Sequence, residues 1–138
     1  MTVLMLGLMA LALQTPVWTW TLYDDEGQLV LANEVPDTPQ LRATFECEPG
    51  TGITRLSLYD APMGEGFATV AAGEASATTQ AMTRPDHTQL TIRTDHPVFA
   101  AFLAEGAMSV TVQDANRSVE IERQYLPTLR RFAERCGG

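Results

Sequence analysis

The chain has 138 residues, of which 45% are hydrophobic and 19% are charged, and its formal net charge is −8 with a pI of about 4.6. This length and composition are typical of one globular domain with a single core. Every basic residue is arginine, which excludes a Schiff-base or Walker lysine, and the acidic balance disfavours nucleic acid and anionic membrane surfaces as partners.

The beginning of the sequence predicts a signal peptide. Residues 3–13 form an apolar run of the length of a secretory core segment, too short to cross a bilayer as a helix, and Ala10 and Ala12 form an A-x-A cleavage pattern. No basic residue precedes this run, so the alternatives are an upstream start and a short buried element. We predict a signal peptide over 1–12, a single β-rich domain over 17–138 and no transmembrane helix in the mature chain.

Alternating apolar and polar positions predict eight or nine short strands after this leader. In the stretch VWTWTLY, Trp18, Trp20 and Leu22 share one face of a strand. In QLRATFEC, Phe45 and Cys47 lie on the apolar face of another strand. The stretches DDEG, NEVPDTP and EPGTG contain the glycine and proline residues typical of turns and loops.

Two segments change to helical spacing. In TDHPVFAAFLAEG, we expect Thr94 or Asp95 to cap a short helix over about 96–105, which Gly106 ends. A second helix is predicted over about 125–136, with an apolar face directed at the sheet. This apolar face consists of Leu126, Leu129, Phe132, Ala133 and Cys136. The predicted fold is mostly β, an antiparallel β-sandwich or flattened barrel with these two helices.

The chain has two cysteines, Cys47 and Cys136, and both lie on apolar faces of predicted elements. Two cysteines in an exported chain normally pair, so we predict a disulfide that closes a loop of about 90 residues and stabilises by roughly 4 to 5 kcal/mol. A catalytic thiol and a metal ligand are the alternatives. The neighbouring Glu46 and Glu48 disfavour a reactive thiolate. The sequence contains no C-x-x-C pattern, which a zinc site would favour.

The only histidines, His87 and His96, each follow an aspartate. The stretch TQLTIRT between them reads as a strand, which would place the two side chains roughly 30 Å apart. We therefore interpret them as turn and cap neighbours rather than a shared metal or catalytic site. No catalytic, cofactor-binding or metal-binding residue is predicted, and no cofactor is expected.

Trp18 and Trp20 are the one candidate binding surface. Core packing is one explanation of the pair, and an exposed aromatic platform for a sugar or protein partner is the other. The acidic run Asp24, Asp25 and Glu26 reads as a solvated turn, although a weak calcium site is an alternative.

The stretches LANEVPDTPQLRATFECEPGTG, PVFAAFLAEGAMSV and LRRFAERCG resemble a group of small exported proteins of Gram-negative bacteria. This resemblance covers most of the mature chain and implies export and a disulfide. A second similarity, carried by FECEPGTG, is to periplasmic C-type lysozyme inhibitors, which are small β-barrels. The inhibitory loop of that family has only a loose counterpart in GEASATTQA, so no residue role is carried over.

We therefore expect a periplasmic or secreted cell-envelope protein that is a non-catalytic binding or structural module. Its partner would be an envelope protein or a glycan. One alternative is an inhibitor or immunity-type protein that binds a basic enzyme such as lysozyme. A small hydrolase that uses His87 or His96 is the other alternative.

Overall fold

The computed structural model describes residues 15–60 and 62–137, and the signal peptide predicted over 1–12 lies outside these residues. The strands and helices, in chain order, are β1 Thr19–Asp25, β2 Gln28–Glu34, β3 Leu41–Cys47, β4 Ile53–Tyr59, β5 Gly66–Ala72, β6 Ala75–Thr83, β7 His87–Arg93, α1 Pro97–Glu105, β8 Ala107–Val112, β9 Ala115–Glu120, a 3-10 turn Arg123–Tyr125 and α2 Leu126–Gly137. The predicted mostly-β fold with a short internal helix and a C-terminal helix is confirmed.

The nine strands form one antiparallel sheet that curls into a half-barrel, in the order β1-β2-β3-β4-β7-β6-β5-β8-β9. Two-residue turns connect β1 to β2, β5 to β6 and β8 to β9, which pair as hairpins. Both helices pack on the concave face of the sheet: α2 contacts β1, β2 and β4, whereas α1 contacts β5, β6 and β8. The concave face is therefore the core, and the convex face is the outer surface.

The sheet has a seam between β6 and β7. These strands share only two paired positions, Met82 with Gln89 and Thr83 with Thr88, and β6 then diverges to follow β5. Beyond the paired positions, the hydroxyl of Thr79 donates a hydrogen bond to the carbonyl of Thr91 at 2.9 Å. A side chain thus connects the two strands where the backbone ladder stops.

The centre of the core is aromatic. Phe45 of β3 is fully buried, and its ring centroid lies 6.0 Å from that of Trp20, 5.5 Å from that of Phe102 and 6.3 Å from that of Phe132. One ring of β3 therefore contacts strand β1 and both helices. Offset and tilted ring pairs at these separations stabilise a core beyond the area that they bury.

Helix α1 begins at a histidine cap. His96 has extended backbone angles, and its Nδ1 accepts a hydrogen bond from the amide of Val98 at 3.0 Å. The prediction that Thr94 or Asp95 caps this helix is wrong, because Asp95 instead receives both N–H groups of Arg93 at 3.0 Å. The predicted end is confirmed: Gly106 has a φ of 73° and its amide donates to the carbonyl of Phe102.

The C-terminal end of α2 is fixed to the turn between β3 and β4. Cys136 is joined to Cys47 by a disulfide, with the two Cα atoms 5.8 Å apart. In the same turn, the amide of Gly50 donates to the carbonyl of Arg135 at 3.1 Å, and that of Gly52 donates to Cys136 at 2.8 Å. Carbonyls that a helix end leaves unpaired are thereby satisfied by this turn.

Candidate functional site

A groove lies where the last strand of the half-barrel approaches the first strands. Four residues that are neighbours across β1, β2, β3 and β4 form its floor: Trp20, Asn33, Ala43 and Leu58. One wall consists of residues 117–120 of β9, and Glu122 extends it. The groove has a volume of about 330 Å³, and we call it the edge groove because it separates the two ends of the sheet.

A register shift in β3 turns Arg42 toward this groove. Asn33 and Glu34 pair with Ala43 and Leu41, so Arg42 has no partner on β2. A bulge of this kind bends a strand and redirects the side chain of the extra residue. The guanidinium of Arg42 lies 3.9 Å from the ring centre of Trp18, at a distance typical of a cation–π contact.

Arg117 holds β9 in place across the groove. By the pairing of β8 with β9, its side chain is on the concave face, next to Val119. Its Nη1 donates a hydrogen bond to the carbonyl of Tyr59 at 2.6 Å. Asp60, the first residue after β4, has a φ of 100°, which L-residues rarely adopt. The contact between Arg117 and Tyr59 therefore connects the last strand of the sheet to the fourth.

The groove combines two guanidinium groups with three carboxylates, those of Asp60, Glu120 and Glu122. Asn33 adds an amide that makes no side-chain hydrogen bond with the residues that the structure describes. Guanidinium and amide groups donate in fixed directions, and carboxylates accept. The described lining of the groove includes neither histidine nor cysteine. Such a set is suited to orient a polar ligand or peptide segment by hydrogen bonds.

The two predicted tryptophans have different environments. Trp20 is only 4% exposed and packs on Phe45, as core packing requires, and its remaining surface faces the edge groove. Trp18 precedes β1, is half-buried and lies under Arg42. The two rings therefore do not form an exposed aromatic platform. A role of the surface around Trp18 and Trp20 in binding stays a prediction.

The two histidines lie apart, as their spacing predicts. His87 begins β7 on the convex face, where it pairs with Tyr59, and the two tilted rings have centroids 5.1 Å apart. Its Nδ1 contacts Asp86 at 2.7 Å. His96 follows the other end of the strand and caps α1. The strand between them is confirmed, and the structure does not bring the two imidazoles together.

The predicted cysteine pair is confirmed as a disulfide, and both residues are buried. A catalytic or metal-binding role for Cys47 would require the free thiolate that this bond removes. The acidic run is predicted as a turn, but Asp24 and Asp25 are the last residues of β1 and only Glu26 lies in the turn; Asp24 forms an ion pair with Arg135 of α2. That contact joins the first hairpin to the C-terminal helix.

Two pairs of titratable groups show clear electrostatic coupling. A hydrogen bond between Tyr23 and Glu34 raises the pKa of the Tyr23 phenol above its ordinary value, with the Glu34 charge acting in the same direction. The hydrogen bond from Arg93 lowers the pKa of the Asp95 carboxyl. Both pairs are exposed and lie outside the edge groove, so they are features of the surface.

Sequence reasoning missed Arg42, Asn33 and Arg117 as groove residues. Alternation places Arg42 on the outer face, and only the register shift explains how it reaches the groove. Arg117 is on the inner face of the last strand, but β9 approaches β4 only because the sheet curls. No local pattern carries either piece of information.

The comparisons with known proteins returned no match among family models, curated proteins or solved structures. Within residues 15–60 and 62–137, no helix has the length and apolar character needed to span a membrane. The resemblances to small exported proteins and to lysozyme inhibitors therefore stay predictions.

Proposed function

We propose that this protein is exported to the cell envelope, where it acts as a non-catalytic module that binds an envelope protein or a glycan. The observation that carries the proposal is the disulfide between Cys47 and Cys136. Disulfides form and persist in oxidising compartments such as the periplasm and are rare in the cytosol. An arrangement that depends on a covalent bridge between the sheet and the last helix suits such a compartment.

The edge groove supports a binding role. Its lining brings Arg42, which the bulge redirects, Arg117, which connects two strands, and three carboxylates around a floor that is mostly buried. Polar groups held on strands keep fixed positions, which favours selective recognition of a polar partner. A partner that offers both cationic and anionic groups would complement this lining.

Export is tested by the intact mass of the protein recovered from the periplasm of a Gram-negative host, with and without reductant. We expect a mass that lacks the predicted leader and is two hydrogens lighter than the reduced form. A full-length mass with two free thiols would contradict the proposal, because neither removal of the leader nor oxidation of the two cysteines would then have occurred.

Binding is tested by incubating the tagged protein with solubilised envelope and with soluble peptidoglycan fragments. Arg42→Gln removes one of the two cations of the groove, and Arg130→Gln, an exposed substitution on α2, is the matched control. A component retained by the wild type and the control but lost by Arg42→Gln supports the groove. If Arg42→Gln and the control retain the same components as the wild type, the groove is not the binding site.

A second candidate is an inhibitor of a basic enzyme such as a lysozyme. The favouring observation is the tip of the β1–β2 hairpin, where Asp24, Asp25 and Glu26 are consecutive and exposed in a chain of net charge −8. An acidic protein is steered toward a basic partner, with association rates that fall as salt rises. Inhibition of a basic muramidase by stoichiometric protein, weakened in Asp25→Asn and at high salt, would favour this candidate over the first.

A further inference from the structure

Three adjacent strands of the second half of the sheet carry no charge. Strands β5, β6 and β8 contain 7, 9 and 6 residues, and none of these is Asp, Glu, Lys, Arg or His. Charged residues make up 19% of the whole chain, so this region departs from the rest of the sequence. Most inward positions of these strands are apolar because they face the core, Thr79 and Thr83 of β6 being the polar ones, but that requirement does not apply to the outward positions.

Hydroxyl groups occupy the outward positions in register. Thr69 of β5 pairs with Thr78 of β6 on one side and with Thr111 of β8 on the other. In the next row, Ala71 lies between Ser76 and Ser109. Neighbouring strands are about 4.8 Å apart and successive outward positions about 6.7 Å apart, so the two rows form a small regular array. We call this surface the neutral face.

Several of these hydroxyls are available to a ligand. Thr69, Thr78 and Ser76 are exposed, and their side chains make no hydrogen bond with residues in the described part of the chain. Thr111 accepts a hydrogen bond from the amide of Asn116 at 2.7 Å, so its own proton is free to be donated. Each free hydroxyl offers one donor and two acceptor positions.

An exposed aromatic ring lies at one end of the array. Phe67 is 78% exposed and pairs with Gln80, one outward position along from Thr69. Met82, which is 47% exposed, lies diagonally across from Phe67 on β6. An outward phenylalanine in an otherwise hydroxyl-rich surface gains nothing from the core, and it offers a flat apolar face of ring size next to hydrogen-bonding groups.

We propose that the neutral face binds an uncharged glycan, with Phe67 stacked on the apolar face of a sugar ring and the hydroxyl array bonded to its hydroxyl groups. A neutral saccharide presents the complementary chemistry: alternating C–H faces and hydroxyls without charge. Charge complementarity supports this choice, because the neutral face has no cation for a phosphate or carboxylate and no anion for an ammonium group. The site is separate from the edge groove, so either proposal can fail without the other.

The composition of the surface disfavours a protein partner or a second copy of the chain. Stable protein interfaces have a core rich in Trp, Tyr, Met and Arg that excludes water. The neutral face offers only Phe67 and Met82 as large apolar side chains, and small hydroxylated residues surround them. These groups suit a wet, hydroxyl-rich ligand better than a dry protein interface.

The test is isothermal titration of the folded, oxidised protein with neutral oligosaccharides, namely a tetramer of N-acetylglucosamine and short dextran and β-glucan chains. We expect at least one of them to bind and an anionic alginate oligomer of equal length not to bind. Phe67→Ala should weaken binding about tenfold or more, as truncation of a central aromatic contact does. Phe67→Trp should retain binding, because it keeps an aromatic face.

The matched control is Tyr23→Ala, which removes an exposed aromatic side chain from β1 on the same convex surface, far along the strand order. Binding should be unchanged in this variant. Thr69→Val, which keeps the shape of the side chain without its hydroxyl, should weaken binding by a smaller factor than Phe67→Ala.

Three results would overturn the proposal. The first is that none of the neutral glycans binds the wild-type protein at millimolar concentration. The second is that Phe67→Ala, with an unchanged circular dichroism spectrum, binds as the wild type does. The third is that sedimentation shows a dimer that Phe67→Ala dissociates, which would assign the face to a second copy of the chain.

Discussion

The two halves of the sheet reach a folded state by different means. The first half, strands β1 to β4 and β7 with helix α2, has the aromatic contacts of Trp20 and Phe132 around Phe45 and the single disulfide of the described residues. The second half, strands β5, β6, β8 and β9 with helix α1, has small inward side chains on its strands, such as Ala68, Val70 and Val110. It has no covalent bridge in the part that the structure describes.

The two halves differ in how far apart in sequence their contacting elements lie. Hairpin connections through two-residue turns make β5–β6 and β8–β9 local structures, which form with little loss of chain entropy. The first half unites elements distant in sequence, since β3 and α2 are 89 residues apart at the disulfide. A covalent bond is most useful where the loop that must be closed is long.

The largest expected effect is removal of the bridge. In the double variant Cys47→Ala/Cys136→Ala, we expect the free energy of unfolding to fall by about 4 to 5 kcal/mol, because the unfolded chain regains the freedom that a long closed loop removes. Urea unfolding followed by circular dichroism measures this change.

Hydrogen exchange on the same variant sharpens the comparison. Amides of β3 and α2 should lose more protection than those of β5 and β8, and the wild type in reductant should reproduce the pattern. A loss below about 1 kcal/mol would mean that the bridge contributes little beyond the two amide contacts of the β3–β4 turn.

The second prediction compares the parts of the core that belong to the two halves. Phe45→Ala should lower the free energy of unfolding by about 3 to 5 kcal/mol, since it leaves a cavity among three other rings. Val110→Ala, a buried truncation in the second half, should cost about 2 kcal/mol. If both variants lose the same free energy of unfolding in thermal or urea denaturation, the aromatic cluster contributes no more to stability than the aliphatic part of the core.

The third prediction concerns the seam. Thr79→Val removes the hydrogen bond to the Thr91 carbonyl while it keeps the shape of the side chain, so stability should fall by about 1 kcal/mol. The control is Thr78→Val on the same strand, whose hydroxyl has no partner among the described residues; it should be nearly neutral. Faster amide exchange confined to β6 and β7 in Thr79→Val would identify the seam as the weak line between the halves.

The smallest expected effect is electrostatic and lies where β7 passes to α1. Arg93→Gln removes the hydrogen bond that lowers the pKa of Asp95, so that pKa should rise toward its ordinary value in a titration followed by NMR. Because the folded-state pKa is the lower one, the contribution of Asp95 to stability is present above its unfolded pKa and is lost as pH falls through the folded pKa.

The exposure of this pair predicts almost no change in melting temperature at neutral pH. A clear loss of stability in Arg93→Gln at neutral pH would mean that the pair fixes the start of α1 in addition to neutralising charge. Asp95→Asn, which removes the titrating carboxyl itself, should match Arg93→Gln near neutral pH and show no titration.

The sequence predicts the elements well and their assembly only in part. Period-two alternation identifies the inward faces of β3 and β4, and the apolar stripe of the last helix contains Leu129, Phe132 and Cys136, all buried. These features depend on neighbouring residues. For the same reason, the pairing of Cys47 with Cys136 could be predicted: both apolar faces had to meet one core.

Other features depend on contacts between distant residues. β4 is a neighbour of β7, and β5 of β8; these strands are distant in sequence, and no spacing in the chain encodes their pairing. The bulge at Arg42 follows from a one-residue register shift between β2 and β3. The alternating pattern of the sequence predicts only that Arg42 is an ordinary outward residue. His96 is preceded by two residues with stronger capping tendency, but Asp95 pairs with Arg93 and the Thr94 hydroxyl donates to the carbonyl of Gly52.

The bridge between Cys47 and Cys136 also determines how the molecule responds to mechanical force and to proteolysis. Residues 48–135 form a closed covalent ring with it, so a single peptide cleavage inside the ring leaves the chain in one piece. Tension applied between residues 15 and 137 passes through β1, β2 and β3 and then crosses the sulfur atoms. Only the β1–β2 hairpin and β3 can be pulled out, while the other six of the nine strands lie inside the ring and carry no load. When held at both of these positions, the protein would therefore extend over a short, fixed length and keep its neutral face intact.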